Sequence, residues 1–192
     1  MSKGIDLVQG VEFLNIGMGN SDIVVWRSDG GRSFPIDVLI ARNEAKQEFY
    51  THTETKARKT VFIKRKDFVF IIGGQSGVQY QLLEAALEQI TEGFMKAFGD
   101  YPVDLLMHGA GQGFAAMIPE LLLKAQNENV KWVQANCFIC KKRLQICVKK
   151  SLIKNAKRLP IAVVFFHQGH GLLVYIDANF DVRGEEIVDI SG

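Results

Sequence analysis

The chain has no apolar run near the roughly 18 residues needed to cross a bilayer, and its start, MSKGIDLVQG, lacks the apolar stretch of a secretion signal. Both absences point to a soluble, cytoplasmic protein. Cysteine is scarce and odd in number, at three. Cys137 and Cys140 stand too close for an ordinary structural disulfide, so the question they raise is metal or redox chemistry. Net charge is nearly absent too, since 23 basic residues face 21 acidic ones and leave +2. Only the placement of charge can therefore be informative. No glycine stretch ends in the GK[ST] of a phosphate loop: HGAGQG at 108–113 lacks that ending and reads as a close-packed helix break. Gly74-Gln75-Ser76-Gly77 is one residue short of a nucleophile elbow, which leaves Ser76 as an expected helix cap. With no paired-carboxylate pattern and no Ser/His/Asp order, the residues offer hydrolase chemistry no foothold.

Apolar residues are present in quantity. At 192 residues and 47% hydrophobic content the chain can bury a real core, and we divide it into a domain over 1–127 and a small β-rich module over 128–192. The stretch from Asp67 to Phe98 anchors the first part. Phe68–Ile72 is unbroken apolar sequence and is expected to be a central strand covered on both faces. Beyond it, Leu83, Leu87, Ile90, Phe94 and Phe98 recur at spacings of three and four, which predicts a helix over 78–98 lying on that sheet. Upstream, VEFLNI and DIVVWR form a hairpin around a glycine-rich connection. Residues 33–47 fit a short helix opened by Pro35, although Val38 and Ile40 would also suit a strand. Glu48–Thr53, Thr60–Lys64 and Phe68–Ile72 read as an antiparallel meander, and Val103–Met107 and Phe114–Ala125 as later helices. Strands first and helices afterwards is an α+β order.

This order, with KTVFIKRKDFVFIIGGQSGVQYQLLEAALEQITEGFMKAF at its centre, resembles the longin domains of trafficking adaptors, vesicle-fusion proteins and the signal-recognition-particle receptor. The resemblance implies an antiparallel five-stranded sheet flanked by helices. It also implies a non-catalytic scaffold that binds small GTPases or other trafficking proteins, with homodimerisation as a further expectation. Fold alone does not decide function.

In the tail, WVQANCF, RLQICV, IAVVFF and GLLVYID are strand candidates, and among them stand Cys137-Phe-Ile-Cys140 and His167-Gln-Gly-His170. Two thiols and two imidazoles, in two pairs, are what tetrahedral zinc takes from two chain turns. Against this, Phe138, Ile139 and Lys141 occupy positions where a zinc knuckle usually has small turn residues. The alternative is that the two cysteines are buried as small hydrophobes and the histidines flank a plain hairpin. Redox use is opposed by the strand-like flanks, because a reactive CxxC opens a helix. Cys147, within LQICV, reads as core. The tail is similar to a small C-terminal module of archaeal longin or roadblock proteins, with Tyr175–Gly184 as the matching segment, which implies an archaeal source.

Eight basic residues, Lys141, Lys142, Arg143, Lys149, Lys150, Lys154, Lys157 and Arg158, fall between 141 and 158 with no acid among them. Such a run attracts an anionic membrane surface or an acidic protein face, or is a solvated surface balanced by the acidic end of the chain. Nucleic acid is disfavoured, because no aromatic residue is interleaved for base stacking. The class competing with a binding scaffold is a metal- or thiol-dependent enzyme centred on Cys137, Cys140, His167 and His170.

Overall fold

The computed structural model describes residues 7–29, 37–101, 106 and 111–188. Contacts divide the chain into two compact units, 1–128 and 129–192. In the first, α1 (Leu7–Gly10) leads directly into β1 (Val11–Met18) and β2 (Ser21–Arg27), and α2 (Asp37–Glu44) follows. A meander then runs through β3 (Thr51–Glu54), β4 (Arg58–Arg65) and β5 (Phe68–Gln75) into the long helix α3 (Tyr80–Phe98). Two short helices close the unit, α4 (Gly111–Ala115) and α5 (Ile118–Lys124), and a π-helical turn spans Ala125–Asn129. The five strands form one antiparallel sheet in the order β2-β1-β5-β4-β3.

β5 is the middle strand, and everything from Phe68 to Gly74 is buried. Strand alternation assigns its two faces. Phe68 and Phe70 meet Phe94 of α3 at ring-centroid distances of 5.3 and 5.6 Å, while Val69 and Ile71 pack with Phe13, Phe62 and the α2 residues Val38 and Ala41. A sheet apolar on both sides is thus covered by α3 on one face and α2 on the other, which explains the uninterrupted hydrophobic run. Gly73 is required here, since a Cβ would come within 2.0 Å of the Phe13 ring. α2 is tied down by a polar network as well. Arg42 Nη2 donates to Asn15 Oδ1 at 3.0 Å and pairs with Asp22, and Asn15, fully buried, donates to the same Asp22 carboxylate at 2.8 Å. Gly17 leaves the room for that guanidinium.

Several boundaries differ from the sequence expectation. The helix over 33–47 is confined to Asp37–Glu44 among the described residues, and 30–36 lie outside them. The first meander strand is Thr51–Glu54 instead of Glu48–Thr53, because Glu48 adopts a positive φ of 61° that interrupts extended backbone. Ser76 does not cap α3. β5 continues to Gln75, a turn brings the Val78 N–H to the Gln75 carbonyl at 2.9 Å, and the cap position falls to Gln79, whose side chain does not cap the helix. Of the expected helix over Val103–Met107, only the buried Leu106 is described. The 108–110 part of HGAGQG is likewise outside, while Gly111 opens α4 against β2, where a Cβ would lie 2.0 Å from the Ile23 carbonyl oxygen. The part of that glycine stretch that is described is a packing contact.

Among its described residues the second unit holds five strands, one more than expected. β6 (Val130–Cys137) pairs with β7 (Lys142–Lys149), a short helix α6 (Lys150–Lys154) follows, and β8 (Ile161–His167), β9 (His170–Ile176) and β10 (Val182–Val188) form a three-stranded sheet in the order β10-β9-β8. Val133, Ile146, Val148, Val163, Leu172 and Val174 bring the inner faces of the two sheets into one core. The additional strand β10 follows a turn organised by Asp177, whose Oδ1 accepts the N–H of Asn179 at 2.8 Å and of Asp181 at 3.0 Å.

Candidate metal centre

Two hairpin ends of the second unit carry the Cys and His pairs. Cys137 closes β6 against Lys142 of β7, and residues 138–141 turn between them, with Lys141 at a φ of 58° doing what a glycine does in many such turns. His167 and His170 are the closing pair of β8 and β9, joined by Gln168 and Gly169, both at positive φ (48° and 79°). Positive φ at both central residues is the type I′ geometry that matches the twist of a tight hairpin.

The thiol sulfurs of Cys137 and Cys140 and a ring nitrogen of His167 all lie within 4.8 Å of one another, so these three residues form a cluster that can hold a metal ion. Ligands bonded to one tetrahedral zinc through sulfur stand about 3.8 Å apart, given bonds of about 2.3 Å. Cys137 is buried, and Cys140 and His167 are half-buried. The Cys140 N–H, and after it the Ile139 N–H, donate to the Cys137 sulfur and hold that thiol below its ordinary range, while burial opposes them. Amide donors converging on a sulfur favour the thiolate, the form that binds metal. His167 is also pushed below its ordinary value, first by burial and then by His170 and Lys142, which keeps the imidazole neutral. Its Nε2 is buried and has no hydrogen-bond partner. A buried imidazole nitrogen without a partner is costly unless something outside the protein satisfies it, and a metal ion does so.

His170 is not in this cluster. It faces His167 edge-on at a ring-centroid distance of 5.5 Å, beside the site and on the same side of the hairpin, as cross-strand partners are. Among the described residues no other His, Cys, Asp or Glu grouping of this kind occurs. No disulfide joins the cysteines, and Cys147 is buried opposite Trp132.

The chain matches no protein-family model, and no curated protein is significantly similar to it. Its site must be read from its own residues.

The basic run does not form one patch. Lys141, Lys142 and Arg143 lie at the metal end of β7, whereas Lys150, Lys154, Lys157 and Arg158 lie beyond the strand's other end, about 24 Å away at the usual rise per residue. All seven are exposed, but Lys149 is buried and cannot belong to a surface cluster. β7 is buried on both faces from Ile146 to Lys149, and this burial is not visible in a list of residue types. Also missed from sequence were Phe138 and Ile139, which are 60% and 50% exposed at the turn between the two cysteines. As turn residues next to metal ligands they could have been expected outside. Among the described residues no helix is long and apolar enough to cross a membrane.

Proposed function

We propose that this chain is a non-catalytic binding protein in which a longin-like unit docks a small GTPase or an equivalent trafficking protein, and a small β-rich unit is held by one zinc ion. The observation that carries the first half is topological. Two strands, a helix, three meandering strands and later helices close into a sheet ordered β2-β1-β5-β4-β3 with helices on both faces, the element order that the longin resemblance implies. The outer strands β2 and β3 each pair on one side only among the described residues, and α2 turns Leu39 and Ile40 to solvent. Large apolar side chains held outward on a helix are characteristic of a surface that meets a partner. For the second half, the support is the Cys137, Cys140 and His167 cluster, and His170, whose ring centroid is 5.5 Å from that of His167, is the fourth ligand that this reading requires.

The test is direct titration of purified small GTPases from the source cell, each loaded with GDP or a non-hydrolysable GTP analogue, against the full chain. At least one binds, the Leu39→Ser/Ile40→Ser variant binds it about tenfold more weakly, and no nucleotide is consumed by the chain itself. Failure of every such protein to bind, together with a hydrolase or redox activity lost on Cys137→Ala, replaces this reading with the enzyme.

One observation favours that second reading. Three protein ligands with a fourth group held outside is how catalytic zinc sites keep a position open for water. Cobalt substitution separates the two, since a four-ligand protein site is insensitive to added small anions and an open one is not.

A further inference from the structure

The end of the second unit that carries the metal cluster has a surface chemistry of its own. Phe138 and Ile139 project from the β6–β7 turn, and Phe166, next to His167, is 55% exposed. Lys141, Lys142 and Arg143 follow directly and are all exposed. The two hairpin ends are tied together by the shared cluster and by Lys142 Nζ, which donates to Gln168 Oε1 at 3.2 Å, so these side chains form one apex. One described carboxylate, that of Glu185, stands beside this end, next to the Asn136–Arg143 pair, and leaves the three cations in excess over it. Glu185 accepts the Asn136 N–H at 2.7 Å, and Glu186 accepts the Tyr175 hydroxyl at 3.2 Å.

We infer that this apex is a membrane-docking tip: Phe138 and Ile139 enter the interfacial region of an anionic bilayer while Lys141, Lys142 and Arg143 meet its phosphates and carboxylates. Large apolar side chains exposed to water at a turn are unfavourable unless something covers them. A bilayer surface offers both required layers within a few ångströms, apolar chains below and negative headgroups above. An acidic protein groove could satisfy the cations, but the apolar pair sits at the outermost turn of a hairpin, with the cations behind it in the chain. That order is the order of a bilayer's layers met from outside in reverse: the apolar pair goes deepest and the cations stop at the headgroups. The inference is independent of GTPase binding, and neither stands or falls with the other.

The test is flotation of the full chain, as purified, with phosphatidylcholine vesicles containing or lacking phosphatidylserine, at low and high salt. Binding is expected to need phosphatidylserine and to weaken with salt. Phe138→Ser/Ile139→Ser and Lys141→Glu/Arg143→Glu should each lower the partition coefficient at least about 30-fold, whereas Lys150→Glu/Lys154→Glu, at the far end of β7, should change it less than about threefold. Because the serine variant could disturb folding, Phe138→Trp supplies a second measurement: its emission should shift to the blue on phosphatidylserine vesicles and be quenched by lipids brominated in the acyl chain. Absence of binding at low salt overturns the inference, as does loss of binding in the far-end variant with the tip variants unaffected. A Phe138→Trp emission that answers to polyglutamate and not to vesicles overturns it too, in favour of an acidic protein partner.

Discussion

His167 and His170 occupy equivalent places in the sequence motif but different places in the structure, and exchanging each for alanine should separate them. His167 has a ring nitrogen within 4.8 Å of both sulfurs and a buried, unpartnered Nε2, so little movement is needed for it to bind an ion. Contraction from at most 4.8 Å to the separation of about 3.6 Å expected between a sulfur and a nitrogen on one tetrahedral zinc is about 1.2 Å at most. Structural zinc binds with about 10–16 kcal/mol, or about 3 kcal/mol for each of four ligands, which makes His167→Ala worth about 100-fold or more in affinity. His170 must first rotate away from its edge-on contact with His167, and water can take its position when it is removed. We therefore expect His170→Ala to cost about tenfold, a smaller share of the same binding energy. Competition with a chromogenic chelator gives both numbers on the full chain, and the cobalt spectrum reports whether the remaining site is still tetrahedral. His167→Ala binding within threefold of the wild type, or the two variants ranking in the opposite order, would falsify the assignment of His167 as the preformed ligand.

Three other outcomes follow from particular contacts. Phe94 is fully buried and meets Phe68, Phe70, Phe98 and Phe114 at 5.3 to 5.6 Å, so Phe94→Ala should destabilise the first unit by about 3–5 kcal/mol in urea unfolding, where under 1.5 kcal/mol would contradict this packing. Lys149→Glu buries a carboxylate in the second unit and should cost at least about 2 kcal/mol, whereas Lys150→Glu on the surface should stay within about 0.5 kcal/mol; equal effects would place Lys149 outside. For pH, the His167 pKa is depressed in the folded chain, so the unfolded chain takes up that proton first as pH falls. Without metal, the second unit should lose stability from about pH 6.5 downward; read by thermal unfolding, a flat acid limb in this window would show His167 to be solvated, and a gain would show it to be ion-paired.

What was legible in the sequence follows how completely each element obeys a single physical demand. β5 and α3 were readable because burial on both faces of a strand, and on one stripe of a long helix, leaves a pattern that few alternatives share. α2 was legible only as one of two readings, since it buries only Val38 and Ala41 firmly and holds Leu39 and Ile40 outward, so its apolar residues do not mark its inner face. The edge strand β3, THTE, has no apolar residue at all and is extended because β4 pairs with it along its whole length. β10 was hidden by the residues before it: DANFD is turn chemistry, and the Asp177 carboxylate that shapes the turn also brings Val182 into register with Ile176.

The metal pair shows the same division between spacing and three-dimensional placement. Spacing brings Cys137 and Cys140 together because a turn of four residues can aim both sulfurs at one point, whatever fills the positions between them. Phe138 and Ile139 counted against a metal knuckle on the ground that such turns favour small residues, yet the structural demand for a left-handed backbone falls on Lys141, one position after the second cysteine, and leaves 138 and 139 unconstrained. Nothing in the turn's geometry therefore asks for large apolar side chains there, and their exposure costs the folded protein without helping it to fold. A residue pair that neither the core nor the turn requires is explained best by what the apex touches, which is why the vesicle experiment, and not a stability measurement, is the one that bears on Phe138 and Ile139.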